Sequence, residues 1–173
     1  MPDLAKQAEL PTFKYFPNPT AQGIFEENPS AMCPCCKQQR GWVYALQPYA
    51  VDEISDLCPW CIADGSAAAL FDAEFNDVTA DLPHEVVEEV SLRTPGFPTW
   101  QQNIWLTHCN DAGIFLGNPT WEDVQKIPGL SSLLYQEGVD KDLQHLLGGD
   151  SSLTAYLFQC TQCHQYMVYT DCD

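Results

Sequence analysis

Three features of this 173-residue chain predict an α+β fold of short elements held together by metal thiolates. Cys33 and Cys36 form one C-x-x-C pair and Cys58 and Cys61 a second; residues 37 to 57 between them match the spacing of a four-cysteine zinc site. Cys160 and Cys163 form a third pair, with β-like runs on either side. Thirteen prolines and ten glycines divide the remainder into short pieces joined by loops. The expected architecture is a treble-clef-like zinc-binding N-terminal part and a zinc-ribbon-like C-terminal hairpin packed with short helices. The parts span residues 1–80 and 81–173, as two small units or one integrated domain.

Residues 1 to 32 carry five prolines and read as an extended arm, pinned to the body by Phe13, Tyr15, Phe16 and Phe25. After the first C-x-x-C turn, Gly41 to Tyr44 is a strand candidate, with Tyr49 to Val51 as its hairpin partner. The alanine-rich segment after CPWC starts a helix near the second pair. Its N-terminus favours the thiolate forms of Cys58 and Cys61. Knuckle, hairpin and ligand-bearing helix is the treble-clef order.

Further on, DLPHEVVEEV has apolar residues at 82, 86, 87 and 90, a helical spacing with Pro83 near its start. Trp100, Ile104, Trp105 and Leu106 suggest a short helix or strand, and Ile114 to Leu116 a buried strand. Thr120 with Asp123 caps the helix WEDVQKI, which Pro128 and Gly129 end. Residues 131 to 147 read as helical with a break at Gly138, and the last 20 or so residues as two strands around the third C-x-x-C.

Thiolates from Cys33, Cys36, Cys58 and Cys61 would complete a tetrahedron around one ion at about 2.3 Å each, in turns stiffened by Pro34 and Pro59. Such a closed set is structural: it adds folding energy and leaves no position open for chemistry. Two readings compete with it, inert thiols and a thioredoxin-type redox pair in CPWC. The redox pair needs a preceding strand and gives Cys33 and Cys36 no task. Cys35 is a bystander between ligands.

For a second site the candidates are Cys109, Cys160 and Cys163, with the fourth ligand open among His108, His164 and Cys172. His108 and Cys109 together are awkward, because neighbours on a strand point apart. Packing of Tyr156, Phe158, Tyr166 and Val168 alone would also hold the terminal hairpin. A catalytic zinc would keep three protein ligands and a water, with Asp111 as base. A Cys109 nucleophile beside His108 is a weaker option, since sequence neighbours rarely form a dyad. His84 and His145 read as surface residues.

The formal net charge is −17, from 24 acidic and 7 basic residues. Such a surface repels phosphate backbones, which argues against nucleic-acid binding, and speeds encounter with a basic partner. Solubility alone would also account for it. The opening MPDLAKQAEL lacks the apolar segment of a secretory signal, and no run reaches a membrane span. Nine cysteines, an odd number, in and around three C-x-x-C pairs suit metal thiolates in a reducing cytoplasm.

LPTFKYFPNP, the C-x-x-C before GWVY, CPWCIADGSAA, RTPGF followed by WQ and W, HCND, and the terminal YLF with its C-x-x-C run in order over essentially the whole chain. Together they resemble the CbrC family. CbrC-type proteins are linked to tolerance of a nuclease colicin, and relatives are regarded as immunity proteins beside secreted toxins. The resemblance implies a non-catalytic zinc-binding protein that neutralises a cognate protein toxin. The acidic surface points to a basic one, and the aromatic WQQNIW segment around Trp100 and Trp105 is read as its contact patch, with core packing of these tryptophans as the alternative. A zinc- or thiol-dependent enzyme, or a stress-response adaptor or metal-handling protein, are the other classes. The chain departs from the family twice. His164 follows the last C-x-x-C where Gly is usual, and Ala112 and Gly113 follow HCND where a further Cys is common.

Overall fold

The structure is a computed structural model that describes residues 9–101 and 103–172. The start of the expected arm, with most of the segment read for a secretory signal, and Gln102 of WQQNIW lie outside the described residues. Mixed α and β elements follow one another as β1 (Phe25–Glu27), β2 (Trp42–Tyr44), α1 (Pro59–Ala63), α2 (Ser66–Phe71) and α3 (His84–Arg93). Then come β3 (Thr107–His108), β4 (Asp111–Ala112), β5 (Ile114–Gly117), α4 (Trp121–Lys126), α5 (Leu130–Gln136), β6 (Thr154–Gln159) and β7 (Tyr166–Asp171). Among these residues no helix is long and apolar enough to cross a membrane.

The strand at GWVY forms, but its partner lies upstream. β2 pairs antiparallel with β1, Phe25 opposite Tyr44, and not with Tyr49 to Val51. Pro48 lacks the N–H a returning strand would need, and Val51 is fully exposed. Pairing upstream instead places the rings of Phe25 and Tyr44 6.1 Å apart in the core. Tyr49 exchanges two backbone hydrogen bonds with Glu74, at 2.7 and 3.0 Å.

A helix does open at the second pair: Cys58 is the N-cap of α1 and Pro59 its first residue. Gly65, at φ 78°, interrupts the run, and α2 restarts from it. α4 carries the capping box expected of Thr120 and Asp123. After α5 and Gly138 (φ 90°) the helix does not resume; one 3-10 turn at Gln144–Leu146 replaces it. Gln144 is buried there and donates to the carbonyls of Ser131 and Val139, at 2.9 and 3.3 Å.

Residues 100 to 106 form no regular element among those described. Three of their described amides donate to side chains instead. The amides of Trp100 and Gln101 donate to the Asp171 carboxylate at 3.0 and 3.1 Å, and that of Ile104 to the Tyr169 hydroxyl at 3.2 Å.

β5, β6 and β7 make an antiparallel three-stranded sheet in that order, β6 and β7 being the expected terminal hairpin. Both faces of β6 are covered, in the period of two that a strand imposes. Tyr156 and Phe158 face the main core, while Ala155 and Leu157 face a smaller cluster with Val124, Leu130, Leu134 and Val168. On β5 Phe115 and Gly117 are buried, and Leu116 between them is exposed.

The main core is aromatic and draws on both halves of the chain. Phe97 stacks on Phe115 at 4.0 Å, Phe16 meets Phe115 edge-on at 4.9 Å, and Tyr44 meets Phe75 at 5.6 Å. The arm is part of it: Phe13, Tyr15 and Phe16 are buried, and the Phe115 amide donates to the Tyr15 carbonyl at 2.8 Å. Gly96, in the RTPGF string, sits where a Cβ would lie 2.9 Å from the Phe75 carbonyl oxygen. Its amide donates to the buried Tyr44 hydroxyl at 3.0 Å, an approach that only glycine allows.

Candidate metal centres

Two turns of the same construction present the first and third C-x-x-C pairs, while the second pair sits at the start of α1. In the first, the Cys33 amide donates to the Gln38 carbonyl at 3.0 Å and the Lys37 amide to the Cys33 carbonyl at 2.9 Å. In the other, the Cys160 amide donates to Gln165 and the His164 amide to Cys160, at 2.9 and 3.1 Å. Each turn needs a left-handed residue directly after its second cysteine: Lys37 at φ 58° and His164 at φ 61°. That explains the position where the CbrC pattern has Gly, which adopts this backbone without strain. His164 fills a turn position and is not among the grouped donors.

The first centre gathers Cys33, Cys36, Cys58 and Cys61, whose sulfurs all lie within 4.8 Å of one another. Cys33 is 3.9 Å from Cys61, Cys36 3.8 Å from Cys58, and Cys58 3.5 Å from Cys61. Four sulfurs about 2.3 Å from one ion stand about 3.8 Å apart, so the donor set fits a tetrahedral metal without rearrangement. Three of the four cysteines are buried. Cys35 points elsewhere, its thiol on the Ser66 hydroxyl at 3.5 Å.

Charge in this centre is already biased toward thiolate. A hydrogen bond from the Cys58 thiol, supported by backbone amides, brings Cys33 down to about 4 against the effect of burial. One of those amides, from Cys58, donates to Cys33 Sγ at 3.4 Å. Cys58 is pushed up by holding its proton toward Cys33 and by burial, and burial takes Cys61 up to about 12. Burial of Cys33, Cys58 and Cys61 disfavours a second charge among them, and a dication would displace the protons that Cys58 and Cys61 hold.

The second centre gathers His108, Cys109, Cys160 and Cys163, again within 4.8 Å. Of the three candidates left open for its fourth donor, His108 stands in the group. Cys172 is exposed and outside it, at the far end of β7. The expectation that His108 and Cys109 diverge is corrected. Cys109 is not on a strand: with Asn110 it forms the two-residue turn between β3 and β4, at φ 52° and 58°. The turn swings its thiol back to 3.1 Å from His108 Nδ1, and Cys163 lies 3.4 Å from the same nitrogen. Backbone donation, first from Cys163 and then from Gln162, lowers Cys160 to about 6 despite burial.

Asp111, considered as a catalytic base, uses both carboxylate oxygens to join three segments. Oδ1 accepts from the Tyr15 hydroxyl at 2.6 Å and the Ala112 amide at 2.9 Å; Oδ2 accepts from the Thr161 hydroxyl at 2.6 Å. Burial alone would raise its pKa, but these hydrogen bonds outweigh it and hold the carboxyl below its usual range. Sequence reading missed this joint, because no local spacing links Asp111 to a tyrosine 96 residues away in the arm. Nor does the missing family cysteine leave a gap. Ala112 is core, and a Cβ on Gly113 would lie 2.9 Å from Met167 Cε.

The WQQNIW segment splits. Trp105 is buried, its indole donating to the Gly113 carbonyl at 3.0 Å, whereas Trp100 is 59% exposed. His84 and His145 are exposed, as expected.

Comparison with known proteins places this arrangement in a wider group. The model of the uncharacterised protein family UPF0167 matches residues 10–172, which includes every donor of both centres. UPF0167 protein Mb2317 of Mycobacterium bovis is 40% identical over 176 residues, covering 94% of each chain. UPF0167 protein MT2352 of Mycobacterium tuberculosis matches to the same extent. UPF0167 protein PA1536 of Pseudomonas aeruginosa is 38% identical over 173 residues, 90% of this chain and 93% of the relative. No solved structure matches the chain. Matched from its arm to its terminal hairpin, the chain belongs to the UPF0167 family.

Proposed function

We propose that this chain is a zinc-stabilised binding protein of the CbrC type, which neutralises a basic bacterial protein toxin by direct contact and has no catalytic centre of its own. The observation that carries the partner class is the surface charge. Asp52, Glu53, Asp56, Glu85, Glu88 and Glu122 are all exposed, on a chain whose net charge is −17. The donor sets support the zinc assignment: four thiols, and three thiols with one imidazole, are the ligands that select zinc in closed, structural sites. Zinc there supplies cross-links between distant segments. Cys33 and Cys36 are tied to the start of α1, and the β3–β4 turn to the terminal hairpin.

A basic protein toxin, sought first in the reading frames that adjoin this gene, provides the test. Cells co-expressing it survive with the wild-type chain, and association in vitro slows at least tenfold between low salt and about 0.5 M, where the Debye length is about 4 Å. Death of cells that contain the folded chain in excess overturns the reading.

A thiol-dependent enzyme is the second reading, favoured by the 3.1 Å contact between Cys109 and His108. Here three thiols crowd one imidazole, which suits an ion better than a dyad. His108→Ala is therefore expected to lower bound zinc from two ions per chain to one, with circular dichroism unchanged. Retention of both ions would remove His108 from the ligand set.

A further inference from the structure

A groove lies between α2 and α3, with a cavity of about 530 Å³. Its floor is apolar, made by Ala69, Ala73 and Leu92, with the half-exposed Tyr49 ring at one side. Three carboxylates line it: Asp72, Glu74 and Glu88. Its cation, Arg93, is paired with Glu89 and lies against Gly65, where a Cβ would meet the arginine side chain at 3.3 Å. The walls are fixed from below, by the paired backbones of Tyr49 and Glu74.

We propose that this groove seats an arginine-bearing segment of a basic protein partner. The proposal rests on the reading of the chain as a binder of basic proteins, and it locates the contact. An apolar floor beside carboxylates suits the guanidinium group, whose faces stack on aromatic and aliphatic surface while its edges donate in pairs to carboxylate oxygens. A lysine would gain the charge but not the stacking. The exposed apolar neighbours fit an interface: Val51 is 98% and Leu70 59% exposed, one two residues from Tyr49 and the other adjacent to Ala69. Apolar anchors of this kind, at the edge of a charged cleft, give affinity where the wider field gives only rate.

A blocked tetra-arginine peptide, titrated into the full chain as purified and followed by amide NMR shifts, tests the site. Shifts are expected to concentrate on Ala69, Ala73 and Leu92. The triple variant D72N/E74Q/E88Q should weaken binding at least tenfold. An equal charge change at D52N/E53Q/D56N should weaken it less than threefold. Ala69→Trp, which fills the groove without altering charge, should also weaken it at least tenfold, and unchanged melting temperatures exclude misfolding as the cause. Equal loss from the two triples overturns the groove and leaves the basic-partner reading standing. No salt-dependent affinity of the wild-type chain for the peptide overturns both. Shifts at the same amides on simple dilution would assign the groove to a second copy of this chain and overturn the proposal too.

Discussion

Cys58→Ser is expected to release the ion of the first centre and abolish the cooperative unfolding of the chain. Serine keeps the N-cap position of α1 and the amide that donates to Cys33 Sγ, so the variant removes only the sulfur that stands among the other three. Structural zinc in small finger peptides is worth about 10–16 kcal/mol, against a total stability of about 5–15 kcal/mol for a domain. Losing one ligand therefore removes an amount comparable to the whole. Metal analysis and near-ultraviolet circular dichroism check it. A variant that keeps its metal content and a sharp melting transition would show that the centre does not hold the fold.

Phe97→Ala, which touches no donor, is expected to cost about 3–5 kcal/mol and to lower the melting temperature by about 6–20 °C. Its ring contacts Trp105 at 5.6 Å, Tyr156 at 5.5 Å and Phe158 at 6.0 Å besides stacking on Phe115. Truncation would leave a cavity among four rigid rings that cannot collapse into it. The control is Trp100→Ala, on the exposed end of the same segment, expected to cost no more than about 1 kcal/mol. Comparable losses from both variants, read by thermal or denaturant melts, would place the centre of the core elsewhere.

What could be read from the sequence was whatever depends on local spacing. The pairs at 33/36, 58/61 and 160/163, the helix opening at Pro59, the Thr120 capping box and the terminal hairpin are each set by residues a few positions apart. Contacts set by distant residues were not legible. Phe25 competes with Tyr49–Val51 for β2, and only the packed core decides between them. His108 and Cys109 were expected to diverge as neighbours on a strand, yet Cys109 adopts the left-handed backbone of a two-residue turn. Residues 100 to 106 resemble a regular element in composition, but their amides find Asp171 and Tyr169 across the fold.

The pairing of the arm with β5 also sets a timetable for synthesis. All four donors of the first centre have left the ribosome soon after residue 61 is made, so that centre can close on an ion while most of the chain does not yet exist. Phe16 must wait for Phe115, and the sheet that covers them is incomplete until Phe158 and β7 follow. At translation rates of about 5–20 residues per second, the roughly hundred residues between the two events leave the Phe16 ring without its partner for about 5–20 s. A nascent chain stalled before β6 would thus carry all four donors of the first centre but an incompletely covered Phe16, the form in which it most needs a chaperone.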